Sequence, residues 1–136
     1  MSAMSHEEAR EFLEKVFANM FNSQAAAESL SEFFSTDYVL DADGARLDFN
    51  AFIDHARVLK NTFTSGHVRF EEILVDGPKI ADVHIVEATK ANGDTIRVKV
   101  IALYILEKGK IVGVDELTHL LKGVDADRDI GFRTSH

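Results

Sequence analysis

The sequence predicts an α+β domain in which three N-terminal helices pack on a strongly curved, mainly antiparallel sheet and enclose one mostly apolar pocket. Apolar residues recur at helical spacing in the first half of the chain, and from Gly66 onward they alternate with a period of two. Tight-turn dipeptides then divide the second half into four long strands. With 136 residues the chain has the size of one domain, so we expect residues 1–136 to form a single unit.

The first helix is predicted to begin after Ser5, because Glu8 three residues later completes a capping box. Its apolar residues recur at helical spacing from Ala9 to Phe21. A second helix is expected from about Ser23. Asp48 is well placed to cap a third helix. The expected apolar faces are Ala26, Ala27, Leu30, Phe33 and Phe34 in the second helix, and Phe49, Phe52, Ile53, Ala56, Leu59 and Phe63 in the third.

A short hairpin is predicted between the second and third helices, with its turn at Asp43-Gly44. After the third helix we expect a four-stranded meander whose turns are Gly77-Pro78, Asn92-Gly93 and Lys108-Gly109. The strands are expected over 67–76, 79–91, 94–107 and 110–122. Residues 124–136 are then left as a polar C-terminal tail.

The turns also predict which side chains share the pocket face of the sheet, because a tight turn fixes the register of its strands. A two-residue turn at Asn92-Gly93 would pair Val98 with Glu87, and one at Lys108-Gly109 would pair Ala102 with Asp115. A bulge in any strand would turn part of this face over, and His84 and Glu116 would then become the candidates. The expected ligand-binding residues are Phe52, His55, Phe70, Val83, Ile85, Glu87, Val98, Val100, Ala102 and Leu117.

Asp115, Tyr104 and His119 are the candidate catalytic residues on this face. A carboxyl group in an apolar pocket has a raised pKa, which makes it a usable general acid or base near neutral pH. Asp115 could therefore take a proton beside a substrate carbonyl, while Tyr104 donates a hydrogen bond to the oxygen that gains charge. His119 is a second proton-transfer candidate. The alternatives are that Asp115 only orders the sheet, that His119 and Glu87 lie in water at the rim, and that His55 is a satisfied histidine at the helix edge.

Composition excludes several classes of partner. The net charge is −8 and no cluster of Lys and Arg occurs, so we expect no nucleic-acid binding. No apolar run approaches the roughly 20 residues of a membrane span, and the polar, acidic residues 5–8 do not resemble a signal peptide. We therefore expect a cytoplasmic protein without membrane contact. The absence of cysteine, of paired histidines and of a glycine-rich phosphate loop predicts neither a metal nor a cofactor.

The order of the predicted elements resembles that of the nuclear transport factor two-like superfamily, and the local motifs resemble its SnoaL-like branch. The motifs are residues 37–44, Leu47-Asp48-Phe49 with Phe52 and His55, 109–112, 115–118 and 127–131. The resemblance implies a cone-shaped pocket and a homodimer formed through the sheet. It also implies relatives such as ketosteroid isomerases, polyketide cyclases and dehydratases, which commonly transfer protons with a pocket Asp or His and use no metal or organic cofactor.

The sequence thus predicts a pocket for a small apolar or aromatic molecule. The function that we expect is isomerisation, cyclisation or dehydration of a carbonyl compound by carboxylate general acid–base catalysis. The alternative is a non-catalytic module that binds a small molecule or another protein.

Overall fold

The computed structural model describes residues 4–135. Two α-helices, two short 3₁₀ helices and six strands follow one another along the chain. They are α1 (His6–Met20), a 3₁₀ helix (Ala27–Glu32), β1 (Phe34–Ala42), β2 (Ala45–Asp48), α2 (Phe49–Thr62), β3 (Phe63–Asp76), β4 (Lys79–Lys90), β5 (Thr95–Glu107), β6 (Lys110–Lys122) and a 3₁₀ helix (Asp125–Asp127). No described helix is both long enough and apolar enough to cross a membrane.

Helix α1 begins as predicted. The Ser5 hydroxyl accepts a hydrogen bond from the Glu8 backbone N–H at 3.1 Å, and the Glu8 carboxylate accepts one from the Ser5 N–H at 2.9 Å. At its other end, the ammonium group of Lys60 on α2 donates to the backbone carbonyls of Asn19 and Asn22. A cation at this position satisfies carbonyls that have no partner inside the helix. Lys60 thereby ties the end of α1 to α2.

The prediction of a second α-helix is wrong. Only a 3₁₀ helix forms there, and Phe34 is already the first residue of β1. The segment is too short for an α-helix because β1 must reach back to pair with the start of β6, where Phe34 is opposite Ile111. Along β1 the buried side chains of Tyr38, Leu40 and Ala42 alternate with more exposed ones, as in a strand.

Helix α2 matches the third predicted helix. The Asp48 carboxylate accepts a hydrogen bond at 2.9 Å from the Ala51 N–H, which confirms the predicted cap. The helix leads directly into β3. It buries one side against the sheet and the 3₁₀ helix, through Phe52, Ile53, His55, Ala56, Val58, Leu59 and Lys60.

The strands form one sheet in the order β2-β1-β6-β5-β4-β3. The predicted hairpin and the predicted meander are both present, and every neighbouring pair is antiparallel except β1 and β6. The parallel contact between β1 and β6 joins the hairpin to the meander. The α-helices cover one face of this mixed sheet, and the core lies between the two layers.

The register between β4 and β5 differs by one residue from the prediction. Glu87 pairs with Arg97 rather than with Val98, because three residues and not two form the loop. The Lys90 N–H donates to the Asp94 carbonyl at 2.7 Å, and Gly93 has a φ of 92° while Asn92 stays at negative φ. This arrangement is the three-residue hairpin loop with glycine in the left-handed region, which competes with the two-residue turn for the same Asn-Gly sequence.

The register between β5 and β6 also shifts, although the predicted turn is present. Lys108 and Gly109 both have positive φ, and Glu107 pairs with Lys110 as predicted. A bulge then follows, so that Ala102 pairs with Glu116 instead of Asp115. Because side chains alternate along a strand, each one-residue shift exchanges the two faces.

Candidate active site

The inner face of the sheet, α1 and α2 enclose a cavity with two adjoining compartments. Including the space at their mouths that is open to solvent, the larger has a volume of about 540 Å³ and the smaller about 400 Å³. Most of the wall is apolar, with Val98 and Val100 of β5 at its centre and Ile96 beside them. The residues that line both compartments are Phe17, Met20, His55, His84 and Glu116.

A buried histidine–aspartate pair lies in the wall of this cavity. Nδ1 of His84 is 2.8 Å from Oδ2 of Asp82, and both side chains are almost fully removed from solvent. The two residues alternate along β4 and face inward because Asp82 pairs with Ala102 and His84 with Val100. Within the described part of the chain, Oδ1 of Asp82 has no hydrogen-bonding partner. A carboxylate held in this way fixes the orientation of the imidazole.

Glu116 enters the same cavity from β6. Burial, together with the negative charges of Asp43, Asp82 and Asp115, raises the pKa of its carboxyl group from 4.5 to about 8. The Glu116 backbone is held by the β1–β2 turn, where the Asp43 N–H donates to the Glu116 carbonyl at 3.0 Å. A carboxyl group with this pKa is mostly protonated at neutral pH, and it can therefore donate a hydrogen bond or a proton.

Two tyrosines complete the polar part of the cavity. Burial and the charges of Asp82 and Glu116 raise the pKa of Tyr104 well above its ordinary value. Burial and the charge of Glu116 do the same for Tyr38. Both hydroxyls therefore stay protonated and serve as hydrogen-bond donors. The Tyr38 ring is packed edge-on against Phe34 and Phe52, with centroids 4.8 Å from each, so its position is fixed by the core.

The C-terminal segment after β6 forms part of the cavity wall. Ile130 is buried, and it lines the larger compartment together with Gly131. The carboxylate of Asp127 accepts hydrogen bonds from the Lys90 ammonium group at 2.8 Å to each oxygen. The expected polar tail thus packs against the domain through Asp127, Ile130 and Gly131.

His55 of α2 is linked to this segment. Its Nδ1 lies 2.8 Å from the backbone carbonyl oxygen of Arg133. The side chain is buried, and burial lowers its pKa from 6.5 to about 4, although the hydrogen bond to Arg133 acts in the opposite direction. The imidazole is therefore neutral at physiological pH.

The predicted pocket residues divide into two groups. Phe52, His55, Phe70, Val98, Val100, Ala102 and Tyr104 lie on the inner side, as predicted. The predicted placement of Val83, Ile85, Glu87, Asp115, Leu117 and His119 is wrong, because the shifts in β4 and β6 turn them to the outer face. Asp115 and His119 are exposed there.

The residues that face the cavity instead are the ones that the sequence predicts for a shifted register. Glu116 takes the place expected for Asp115, and His84 is the inward-facing histidine. Asp82 was not predicted at all. A sequence signal for it exists, since Asp82 and His84 alternate within an apolar strand, but the same pattern is typical of a solvated face. Among residues 4–135, no three His, Asp or Glu side chains are grouped in a way that could hold a metal ion.

Comparison with known proteins supports the same architecture. A solved structure of AclR, a candidate hydroxylase of Streptomyces galilaeus, superposes with a TM-score of 0.71 over 95% of this chain and 88% of that chain, at 15% identity. A candidate SnoaL-like polyketide cyclase of Jannaschia superposes with a TM-score of 0.67 over 93% of this chain and 92% of that chain, at 14% identity. At these identities the likeness establishes the fold alone.

Sequence similarity identifies the family. An uncharacterized protein of Schizosaccharomyces pombe is 34% identical over 125 residues, which cover 92% of this chain and 96% of the relative. The profile of the SnoaL-like domain matches residues 13–114. That range extends from α1 to the middle of β6 and includes Asp82, His84 and Tyr104. The chain therefore belongs to the SnoaL-like domain family.

Proposed function

We propose that this protein is a cofactor-independent enzyme that isomerises, cyclises or dehydrates an apolar carbonyl compound by general acid–base catalysis. The observation that carries the proposal is the buried His84–Asp82 pair in the wall of an apolar cavity, with Glu116 and Tyr104 facing the same space from neighbouring strands. Burying two polar groups is costly, and functional sites are where such groups concentrate.

His84 is the general base in this proposal. Its Nδ1 proton is donated to Asp82, so the neutral ring presents an unprotonated Nε2 that can remove a proton from the carbon next to the carbonyl. The imidazolium that forms is stabilised by the Asp82 carboxylate. The aromatic ring of Phe17, with its centroid 4.8 Å from that of His84, limits the orientations available to the imidazole.

Glu116 is the acid in this proposal. Its protonated carboxyl group donates a hydrogen bond to the carbonyl oxygen, which gains negative charge as the α-proton leaves. Tyr104 is a second donor for the same oxygen. From the resulting enol, return of the proton to another carbon gives isomerisation, loss of a β-hydroxyl as water gives dehydration, and attack of the enol carbon on a second carbonyl gives cyclisation.

The proposal can be tested without knowing the natural substrate. Removal of an α-proton incorporates deuterium when a ketone is incubated in D₂O, and 2-tetralone is a bicyclic apolar probe whose exchange proton NMR can follow. We expect the wild-type protein to accelerate this exchange, and His84→Gln and Glu116→Gln each to reduce the acceleration by about 100-fold.

Asp115→Asn is the matched control, because Asp115 is the neighbouring carboxylate on the outer face of the same strand. It should exchange 2-tetralone at the wild-type rate. If wild type binds 2-tetralone but does not accelerate exchange, the cavity binds ligands without catalysis. If Asp115→Asn abolishes the exchange and Glu116→Gln does not, the assignment of the acid is wrong.

The outer face of the sheet supports a second part of the proposal, a homodimer formed through that face. Its apolar residues form a continuous group across β3, β4, β5 and β6, in which Ala81 of β4 pairs with both Leu74 and Leu103. Leu74, Ile101 and Leu117 are each more than half exposed, at 61%, 55% and 66%. Contiguous exposed apolar surface of this kind marks an interaction site.

A further inference from the structure

We propose that His55 is a specificity-determining residue whose Nε2 accepts a hydrogen bond from a hydroxyl group of the ligand. The cavity would then select apolar ligands that carry a hydroxyl donor on the side of α2 and the C-terminal segment. This inference rests on the proposed function, since it assumes that the natural ligand occupies the cavity between α2 and the sheet.

The hydrogen bond to the C-terminal segment determines which ring nitrogen of His55 carries the proton. Nδ1 lies 2.8 Å from the Arg133 carbonyl oxygen, and a carbonyl can only accept a hydrogen bond. The proton of the neutral ring is therefore on Nδ1. Nε2 is left as an unprotonated acceptor, and in this tautomer it cannot donate.

Nε2 of His55 has no donor among the described residues. Packing does not fully enclose Nε2 either. Within residues 4–135, the side-chain oxygen or nitrogen that is both fully enclosed and without a hydrogen-bonding partner is Oδ1 of Asp82, and Nε2 of His55 is not in this state. His55 lines both compartments of the cavity. A ligand that brings a hydroxyl group would supply the missing partner, whereas one that brings a carbonyl or ether oxygen would place two acceptors against each other.

The opposite side of the cavity has the complementary character. The carboxyl group of Glu116 and the hydroxyls of Tyr104 and Tyr38 are protonated at neutral pH and act as donors on the side of the sheet. Low pKa keeps His55 neutral under the same conditions. The cavity therefore offers donors from the sheet and an acceptor from the helix, which orients a ligand that has an acceptor at one end and a hydroxyl at the other.

Two probes that differ only at the oxygen isolate this contact. They are 2-naphthol, which has a hydroxyl donor, and 2-methoxynaphthalene, which has none. Titration calorimetry should show the wild-type protein binding 2-naphthol about tenfold more tightly. His55→Phe keeps an aromatic ring but removes the acceptor, and it should bind the two probes with affinities that agree within about twofold. His119→Phe, on the exposed outer face, should keep the wild-type preference.

Long-range proton–nitrogen NMR of the folded wild-type protein gives a second measurement that does not depend on a variant. We expect the His55 spectrum of the Nδ1-protonated tautomer, with an Nε2 resonance that shifts on addition of 2-naphthol and not of its methyl ether. A proton on Nε2 would overturn the inference, and so would a preference for 2-naphthol that survives in His55→Phe.

The two proposals fail separately in these experiments. 2-Naphthol has no carbonyl group, so a wild-type protein that does not accelerate 2-tetralone exchange would refute the proposed catalysis and leave the preference for the hydroxyl unchanged. If wild type binds neither naphthalene probe, the role of His55 as a ligand acceptor is refuted even where 2-tetralone exchange is observed.

Discussion

Oδ2 of Asp82 accepts a hydrogen bond from Nδ1 of His84, while Oδ1 of the same carboxylate has no partner within the described residues. The pair thus carries the cost of an incompletely satisfied charge inside an apolar wall. His84→Phe would leave both carboxylate oxygens unpartnered, and we expect the free energy of unfolding to fall by about 3 kcal/mol.

Adding Asp82→Leu to that variant should recover most of the loss, because no buried charge then remains and the space is filled by apolar atoms. Urea unfolding of wild type, His84→Phe and the double variant measures both changes. A double variant that is less stable than His84→Phe alone would mean that the Asp82 carboxylate is not destabilising without its partner.

Glu116 should make the stability of the protein fall as the pH rises. Its pKa is about 8 in the folded protein and 4.5 as the ordinary value, so between these limits the folded state holds a proton that the unfolded state has released. The stabilisation is complete below about pH 4.5 and is lost as the pH rises through about 8, with a slope of up to about 1.4 kcal/mol per pH unit.

Glu116→Gln has no carboxyl proton to lose. Its free energy of unfolding, measured by urea unfolding at each pH, should therefore depend less on pH between pH 5 and pH 8. Asp115→Asn should retain most of the wild-type slope, because burial is the largest cause of the raised pKa of Glu116 and the charge of Asp115 is the smallest. Parallel profiles for wild type and Glu116→Gln would show that the Glu116 carboxyl is ionised in the folded state.

The architecture could be predicted from the sequence because its signals are local and repeated. The Ser5 and Asp48 caps, the alternation along β5 and the positive-φ turn at Lys108-Gly109 each depend on a few neighbouring residues, and all were confirmed. Fold class is the sum of such signals, so it tolerates the failure of one of them, as in the segment before Phe34.

The site could not be predicted with the same success, because it depends on whether the odd-numbered or the even-numbered residues of a strand face the cavity. Whether Asp115 or Glu116 faces the cavity is decided by one bulge residue between Ile111 and Gly113, and the faces of β4 are decided by one residue in the loop before Asp94. A bulge costs little energy, and no local sequence pattern here predicts it. For the same reason Asp82 was expected on the other face, and His84 was named only as an alternative candidate.

The ion pair between Lys90 and Asp127 should hold the C-terminal segment against the cavity. Asp127 is buried, and Lys90→Met would leave its carboxylate without the cation. We expect faster hydrogen exchange in residues 124–135 and a loss of about 2 kcal/mol in the free energy of unfolding. Hydrogen exchange with mass spectrometry reads out the segment directly.

Arg128→Met is the control for this change, because it breaks an exposed ion pair with Asp125 in the same segment. Exposed pairs contribute little, so its exchange pattern should match that of wild type. Equal exchange in Lys90→Met and wild type would show that the other contacts, among them buried Ile130 and the hydrogen bond between His55 and Arg133, are sufficient to anchor the segment.

Leu103 should be critical for self-association if the outer face of the sheet is the dimer interface. It pairs with Asp115 and lies between Ile101 and Ile105 of the same strand, so Leu103→Glu places a second carboxylate next to the first in the middle of the apolar surface. A dimer that buries this surface would have to desolvate both charges, and we expect its dissociation constant to rise by at least about 100-fold. Sedimentation velocity over a concentration series measures the change. Ala18→Glu, exposed on α1 on the opposite side of the sheet, should sediment as wild type does, and a wild-type protein that is monomeric at every concentration would refute the interface.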